Sequence, residues 1–257
     1  MFQQRKYLAM KKILIIGEAC VDVFKYGECK RLSPEAPVPV FTPIENVLNH
    51  GMAGNVRKNL EAMLEGYEID CVCQSEVLIK TRYIDKKTNH MLLRVDEGEY
   101  SVMVPIRLSP ELIQRIKEAD AVVVSDYNKG FLSEEALQEI AEHAKLSFLD
   151  SKKKLHPDTI MAYNYVKLNE LEWERNKTND RKLLLKMIVT LGPKGAMYMG
   201  TLYPTEAKET IDVSGAGDTF LAAFVTKYLQ VKDVDISITF ANKMSSIVVS
   251  KRGVNTP

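Results

Sequence analysis

The sequence predicts an α/β protein: a mostly parallel sheet covered by helices, with a smaller β piece beside it. Three observations predict this. Short apolar runs ending in glycine or a polar residue recur along the chain, namely KILIIG at 12–17, VVVS at 122–125, KLSFLD at 145–150, YVKL at 165–168 and MIVT at 187–190. Runs of this length read as buried strands. Helical patterns lie between them, the order expected of a covered parallel sheet. The alternation breaks once, at KTRYIDKKTNHMLLRVD (80–96), which reads as two strands around a polar KKTN turn.

Residues 1–10 have no apolar core of signal-peptide length and are expected to be a loose extension, with Met10 an alternative start. The first strand begins near Ile13. APVPVF at 36–41 carries two prolines in an extended run, which suits an edge strand because proline cannot donate to a ladder. AGNVRKNLEAMLE at 53–65 places Val56, Leu60, Met63 and Leu64 on one helical face. Ser109-Pro110-Glu111 and Ser133-Glu134-Glu135 are N-terminal capping patterns and predict helices over 109–118 and 133–144. DTFLAAFVTKYL at 218–229 is apolar on nearly all sides after its first turn, the pattern of a helix buried in mid-domain, and 235–250 packs beside it. With 257 residues and 46% hydrophobic content, one domain over 11–257 can bury a sizeable core.

Composition excludes some functions. The 35 basic and 34 acidic residues nearly cancel, so no nucleic-acid or anionic-membrane partner is expected. No apolar run approaches the roughly 20 residues of a membrane span. Cys71 and Cys73 fall on one face of a strand but lack further ligands at zinc-site spacing. With Cys20 and Cys29 they read as structural thiols in a reducing, cytoplasmic setting.

The segment DVSGAGDTF (212–220) carries the chemistry. Gly215, Ala216 and Gly217 open the buried helix, where unpaired N–H groups and the positive end of the helix dipole suit a phosphate. Asp218 beside such an anion hole can take a proton from an attacking hydroxyl, which fits phosphoryl transfer. The residues alone equally allow Asp218 as a helix cap behind a tight glycine turn.

DVSGAGDTFLAAF resembles the C-terminal signature of the ribokinase-like (PfkB) carbohydrate kinases, and GMAGNVRKN, KLNELE and TLGPKGA resemble its other motifs in the same order. The likeness covers residues 11–257. RLSPEAPVPV, SDYNKG, LLRVD and GEACVD are similar to the kinase module of the bacterial heptose-phosphate kinase/ADP-heptose synthase family. The resemblance implies a three-layer ribokinase-like α/β sandwich with a small β lid near 18–43 and 80–100. It implies an ATP- and Mg2+-dependent kinase acting on a sugar or sugar phosphate, with D-glycero-D-manno-heptose 7-phosphate favoured and a homodimer formed through the lid. Other sugars, a nucleoside, or a catalytically retired ligand-binding regulator are the rival readings.

Residue by residue, the resemblance makes Asp218 the base and Gly215, Ala216 and Gly217 the anion hole. Asp22, Gly51 and Asn55 become sugar ligands, and Lys80, Arg82 and Arg94 candidates for reading a sugar phosphate. Asn169 and Glu172 orient the metal and its waters; Thr190, Gly192 and Gly195 form the nucleotide wall. Asp212 and Ser214 offer backbone carbonyls to a monovalent cation, K+. Alternatives stay open: Asp22 as a turn cap, Asn169–Glu172 as a plain helix start, Arg94–Asp96 as a cross-strand surface pair, and Tyr127 and Lys129 as loop or site. Lys152, Lys153 and Lys154 read as a solvated face, with a phosphate role as the lesser alternative. The chain departs from the pattern in GMAGN for GGAAN, in Gly17-Glu18 for GD, and in short segments after Asp70 and Trp173. No cytidylyltransferase-like stretch follows, so a compact stand-alone kinase is expected.

Overall fold

A computed structural model describes residues 10–99, 102–206, 211–251 and 253–257; of the expected extension, all but Met10 lies outside the described residues. The chain runs β1 (Lys11–Gly17), β2 (Ala19–Leu32), β3 (Pro39–Met52), α1 (Ala53–Met63), β4 (Tyr67–Val72), β5 (Ile79–Asp85), β6 (Met91–Glu97), α2 (Pro110–Glu118), β7 (Ala121–Asp126) and α3 (Glu134–His143). It continues through β8 (Ser147–Ser151), α4 (Pro157–Ala162), β9 (Tyr165–Asn169), α5 (Glu170–Asn176), α6 (Arg181–Leu184), β10 (Met187–Thr190), β11 (Ala196–Tyr198), β12 (Thr201–Tyr203), α7 (Ala216–Val231) and α8 (Val234–Val249).

The main sheet has the order β12-β11-β10-β9-β8-β7-β1-β4. It is parallel from β4 to β10 and ends in an antiparallel hairpin. Side-chain alternation along each strand sorts the core into two layers. Leu14, Ile16, Val122 and Val124 meet α2 and α3 through Leu112, Ile116, Leu137 and Ile140. Ile13, Ile15, Val123 and Phe148 meet α1, α7 and α8 through Leu60, Phe220, Phe224 and Ile238. The result is the expected helix–sheet–helix sandwich. α7 is buried from Asp218 to Thr226, as its all-round apolar sequence requires. Ser109 and Ser133 cap α2 and α3 by accepting from the N–H groups of Leu112 and Ala136.

A second sheet of order β3-β2-β5-β6 forms the lid. The proline-bearing strand lies at its edge, as a missing ladder donor demands. The lid is longer than expected. β3 does not stop near 43 but pairs with β2 up to Met52 and passes straight into α1. Fourteen-residue β2 offers a ladder that long, and Met52 makes the reversal at φ 57. Residues 73–78 carry the chain from β4 directly to β5 with no helix between them. The lid's inner face holds Phe24, Tyr26 and Ile84, packed with Val254 of the C-terminal segment. Among the described residues, no helix is long and apolar enough to cross a membrane.

Candidate active site

Parallel strands present their carboxyl ends to one side of a sheet, and ligands bind there. Here those ends and the first turn of α7 enclose a cavity of about 830 Å³. Tyr127, Asp150, Lys167 and Asn169 line it from the strand ends of β7, β8 and β9, and Gly215 to Asp218 line it from α7.

The turn into α7 depends on glycine. Gly215 has φ 78, and a Cβ there would meet Asn55 Nδ2 at 2.6 Å. A Cβ on Gly217 would lie 3.1 Å from Lys167 Nζ. The expected anion hole needs one amendment: the Ala216 N–H donates to the Val213 carbonyl at 3.2 Å. Among the described residues nothing accepts from the N–H groups of Gly215, Gly217 and Asp218, so these are the free donors at the helix end.

Asp218 is 4% exposed, yet both of its oxygens are engaged. Oδ2 accepts from Asn55 Nδ2 at 2.9 Å and Oδ1 from the Tyr127 hydroxyl at 2.8 Å. Asn59 fixes Asn55 in turn, donating to its carbonyl at 2.8 Å and its Oδ1 at 3.0 Å, and accepts from the Thr219 hydroxyl at 3.1 Å. α1 and α7 are thus tied by a buried polar chain. Burial pushes the Asp218 carboxyl up to about 6; Asn55 opposes that rise, Asp150 adds to it, and Tyr127 and Lys167 oppose it.

Behind the turn lies a charged floor. Lys167 Nζ bonds Asp150 Oδ2 at 2.8 Å, and Lys152 Nζ bonds Glu172 Oε1 at 2.5 Å. Among the described residues, Asp150 Oδ1 is buried without a hydrogen-bond partner, 3.9 Å from Lys152 Nζ. Asn169 and Glu172 form a reciprocal capping box at α5: the Glu172 N–H donates to Asn169 Oδ1 at 2.8 Å, and the Asn169 N–H to Glu172 Oε2 at 2.7 Å. The helix-start reading therefore describes their local geometry, with Asn169 on the cavity wall and Glu172 buried behind it. Thr190, Gly192 and Gly195 line the far wall. Gly195 has φ 97, and a Cβ there would meet the Tyr203 carbonyl at 2.1 Å, so the β11–β12 hairpin itself demands glycine.

The lysine run is not a solvated face. Lys152 reaches the cavity, and Lys153 pairs with fully buried Asp126 at 2.6 Å; only Lys154 is exposed. Two buried carboxylates, Glu172 on α5 and Asp126 at the end of β7, draw these ammoniums inward.

On the lid's inner face Asp22 is 5% exposed and paired with Arg82, whose guanidinium also lies over the Phe24 ring at 5.0 Å. Gly51 is required beside it, since a Cβ would fall 2.2 Å from Asp22 Oδ2. The Cys20 thiol is pushed up to about 12 by burial and then by the Asp22 carboxylate, with Asp218 a smaller contributor; Lys80 and Arg82 oppose this. The Cys20 thiol is thus within electrostatic reach of both Asp22 and Asp218. Lys80 lies across the ladder from Asp22, with its ammonium 5.4 Å from the Tyr127 ring centre. Arg94, opposite Arg82, makes a two-pronged pair with Asp96 at 2.7 Å for each bond. The pair is at the surface, but it forms along one strand, β6, and not across strands as that alternative had it. The Asp212 carboxylate accepts from the Ser214 N–H at 2.8 Å and the Gly253 N–H at 3.1 Å, tying the entry of α7 to the C-terminal segment.

Sequence reasoning missed Asp150 and Lys167, and saw Glu18 only as a departure. Glu18 is fully buried and accepts from three backbone N–H groups of the 127–131 loop. The available signal was position: Glu18 and Asp150 lie next to the carboxyl end of a strand, and Lys167 is a lone cation inside the apolar run YVKL.

Residues 53–257 match the model of the pfkB family of carbohydrate kinases. The chain is 33% identical to the bifunctional protein HldE of Helicobacter pylori (strain J99) over 95% of its own length. It spans about 64% of the length of that protein. Among solved structures it resembles Escherichia coli phosphofructokinase-2 in complex with potassium (TM-score 0.72, 15% identity, 96% and 95% of the two chains). It also resembles Arabidopsis thaliana ribokinase complexed with ribose and ATP (TM-score 0.66, 15% identity, 95% and 94%). The fold is ribokinase-like.

The Asp218 carboxyl should titrate near pH 6 when followed by its 13C signal, well above an ordinary aspartate. Asn55→Ala, which removes one donor, should move that midpoint higher still. A midpoint near 4 in the wild type would refute this description of the site.

Proposed function

The chain belongs to the pfkB family of carbohydrate kinases, phosphotransferases with an alcohol acceptor, and we propose that its acceptor is a sugar that already carries a phosphate. D-glycero-D-manno-heptose 7-phosphate, phosphorylated at the anomeric hydroxyl by ATP, is the favoured substrate. The observation that carries the chemistry is a buried aspartate at the N-terminus of a buried helix, both of its oxygens held by neutral donors, beside free backbone N–H groups. Such a group collects a proton, and the N–H groups hold negative charge.

In this reading the sugar lies between the lid's inner face and Asp218, with Asp22 accepting from its hydroxyls and Asn55 and Gly51 beside them. Asp218 takes the proton of the attacking hydroxyl. The sugar oxygen bonds the γ-phosphorus, the bond to the β-phosphate oxygen breaks, and ADP leaves. The N–H groups of Gly215 and Gly217 face the transferred group, and Lys167 and Lys152 supply positive charge behind it.

A nucleoside triphosphate fits a cavity of about 830 Å³ whose walls are apolar at Val213, Pro193 and Val249. Magnesium fits the donor chemistry. It keeps several waters and needs few protein ligands, and the unpartnered Asp150 Oδ1 is an acceptor at the cavity edge. Asn169 and Glu172 would orient its waters, and the ion would neutralise phosphate oxygens. Potassium fits the loop before α7, where among the described residues nothing donates to the carbonyls of Asp212 and Ser214.

The preference for a sugar phosphate rests on Lys80, Arg82 and Arg94, three cations on the inner lid face. A phosphate offers them charge-assisted bonds that a neutral sugar cannot. We also read the lid's outer face, with Ile44, Leu48 and Leu93 about half to two-thirds exposed, as a homodimer surface.

Asp218→Asn should keep the fold and ATP binding while lowering turnover by about 10²–10⁴-fold; a folded variant with near-normal turnover would remove the base assignment. In a panel of acceptors, heptose 7-phosphate or a close sugar phosphate should exceed its unphosphorylated counterpart in kcat/KM, and Arg94→Ala should narrow that gap. Free ribose, fructose or adenosine outperforming every sugar phosphate would reject the substrate while leaving the kinase chemistry intact. Leu48→Glu should convert a dimer to a monomer in sedimentation velocity, and a monomeric wild type would dismiss the lid interface.

A further inference from the structure

We infer that Glu18 and Tyr127 are positioning residues for the base: the Glu18 carboxylate fixes the 127–131 loop, and the loop fixes the Tyr127 hydroxyl on Asp218, holding that carboxylate in its proton-accepting form. This rests on Asp218 acting as the base.

Glu18 is the single residue between β1 and β2, beside the β1–β7 pairing where the strand order reverses direction. Its own backbone is fixed on both sides: its N–H donates to the Ser125 carbonyl at 3.1 Å, and its carbonyl accepts from the Ala53 N–H at 2.9 Å. Its side chain is fully buried. One oxygen accepts from the N–H of Tyr127 at 2.5 Å, and the other from those of Lys129 at 3.0 Å and Phe131 at 3.2 Å. The loop is irregular, with Asn128 at φ 57 and Gly130 at φ 102, so it has no ladder to satisfy those donors. Buried N–H groups need acceptors. An ionised carboxylate is the side chain that only accepts, with two oxygens to share among three donors. Burial, then Asp126, pushes the Glu18 carboxyl up; the loop N–H groups and Lys153 pull it back.

The loop's first residue delivers the phenol. Tyr127 is gripped by two ammoniums, Lys80 at 5.4 Å and Lys152 at 5.2 Å from its ring centre, one from the lid and one from the cavity floor. Burial and Asp218 push the phenol well above its ordinary value, so it stays a donor. Its bond to Oδ1 leaves the second lone pair of that oxygen for a substrate hydroxyl. The groups facing this pair from each packed element are Asn55 of α1, Cys20 of β2, Lys80 of β5, Asp150 and Lys152 at and just past the end of β8, and Lys167 of β9.

Three variants test this, using the intact chain: Tyr127→Phe, which removes only the hydroxyl, Glu18→Gln, which puts a donor against the loop's donors, and the double variant. The readouts are the Asp218 13C midpoint and the pH profile of kcat/KM with ATP and heptose 7-phosphate. Tyr127→Phe should raise the midpoint by about one pH unit and depress kcat/KM more at pH 6 than at pH 8. Glu18→Gln should shift both the same way, and the double variant should shift no further than Tyr127→Phe alone, because both act through one hydroxyl. A folded Tyr127→Phe with an unmoved midpoint overturns the inference even if Glu18→Gln fails to fold. Lower thermal stability with an unmoved midpoint marks a merely structural loop and overturns it as well. Asp218→Asn, assayed in parallel, separates the two readings. If it keeps turnover, the base assignment falls and this inference with it; if it loses turnover while Tyr127→Phe leaves the midpoint in place, only this inference falls.

Discussion

Keeping a carboxylate ionisable out of water is the constraint to which the surroundings of Asp218 answer. A buried charge is costly unless hydrogen bonds replace its hydration. Two elements distant in sequence supply the replacement for an acid that stands in the first turn of α7: Asn55 from α1 and the Tyr127 phenol from the loop after β7. Neither can be displaced without stranding a buried polar group. Asn59 and Thr219 extend the constraint inward, so that α1 and α7 dock through a polar seam as well as through Val56, Leu60 and Phe220. The burial that raises the carboxyl toward neutrality also makes it an effective proton acceptor.

The sheet solves the supply problem by repetition. Each central parallel strand carries an apolar stretch and a polar residue at or just beside its carboxyl end: Glu18 after β1, Asp126 on β7, Asp150 on β8, Asn169 on β9. The apolar stretch sets strand depth and the layered core, while the polar end reaches the crevice. Charge is then balanced across neighbouring strand ends, Lys153 against Asp126 and Lys167 against Asp150. An isolated carboxylate there would be prohibitive; alternating signs make the row tolerable.

Much of this was legible in the residues. Strand and helix positions followed from apolar periodicity and from Ser109 and Ser133, because capping and burial are local rules. Gly215, Gly217 and Asp218 announced themselves by combining flexible backbone, an acid and an apolar helix. What stayed hidden was pairing across long sequence distances. Nothing local says that Lys152 and Lys153 turn inward, because the acids that draw them, Glu172 and Asp126, lie on other elements. Arg82 and Arg94 looked alike as cations, yet one is buried against Asp22 and the other half-exposed beside Asp96. The length of β3 escaped notice because an edge strand paired along one side needs no apolar alternation, and 44–50 is mostly exposed.

The lid joins the body through links that crowd one line. One residue separates β1 from β2, β3 enters α1 with none between, and the Gln74 side chain bonds both the N–H and the carbonyl of Ala19 at 2.9 and 2.6 Å. Such an attachment is an axle and not a tether. At about 3.3 Å of rise per residue, Asp22 sits roughly 10 Å from the axle, whereas the far end of β2 lies about four times as distant. Were the lid to turn about this line, its tip would travel about four times as far as Asp22 and Lys80. The geometry at the root of the crevice would then be the part least disturbed.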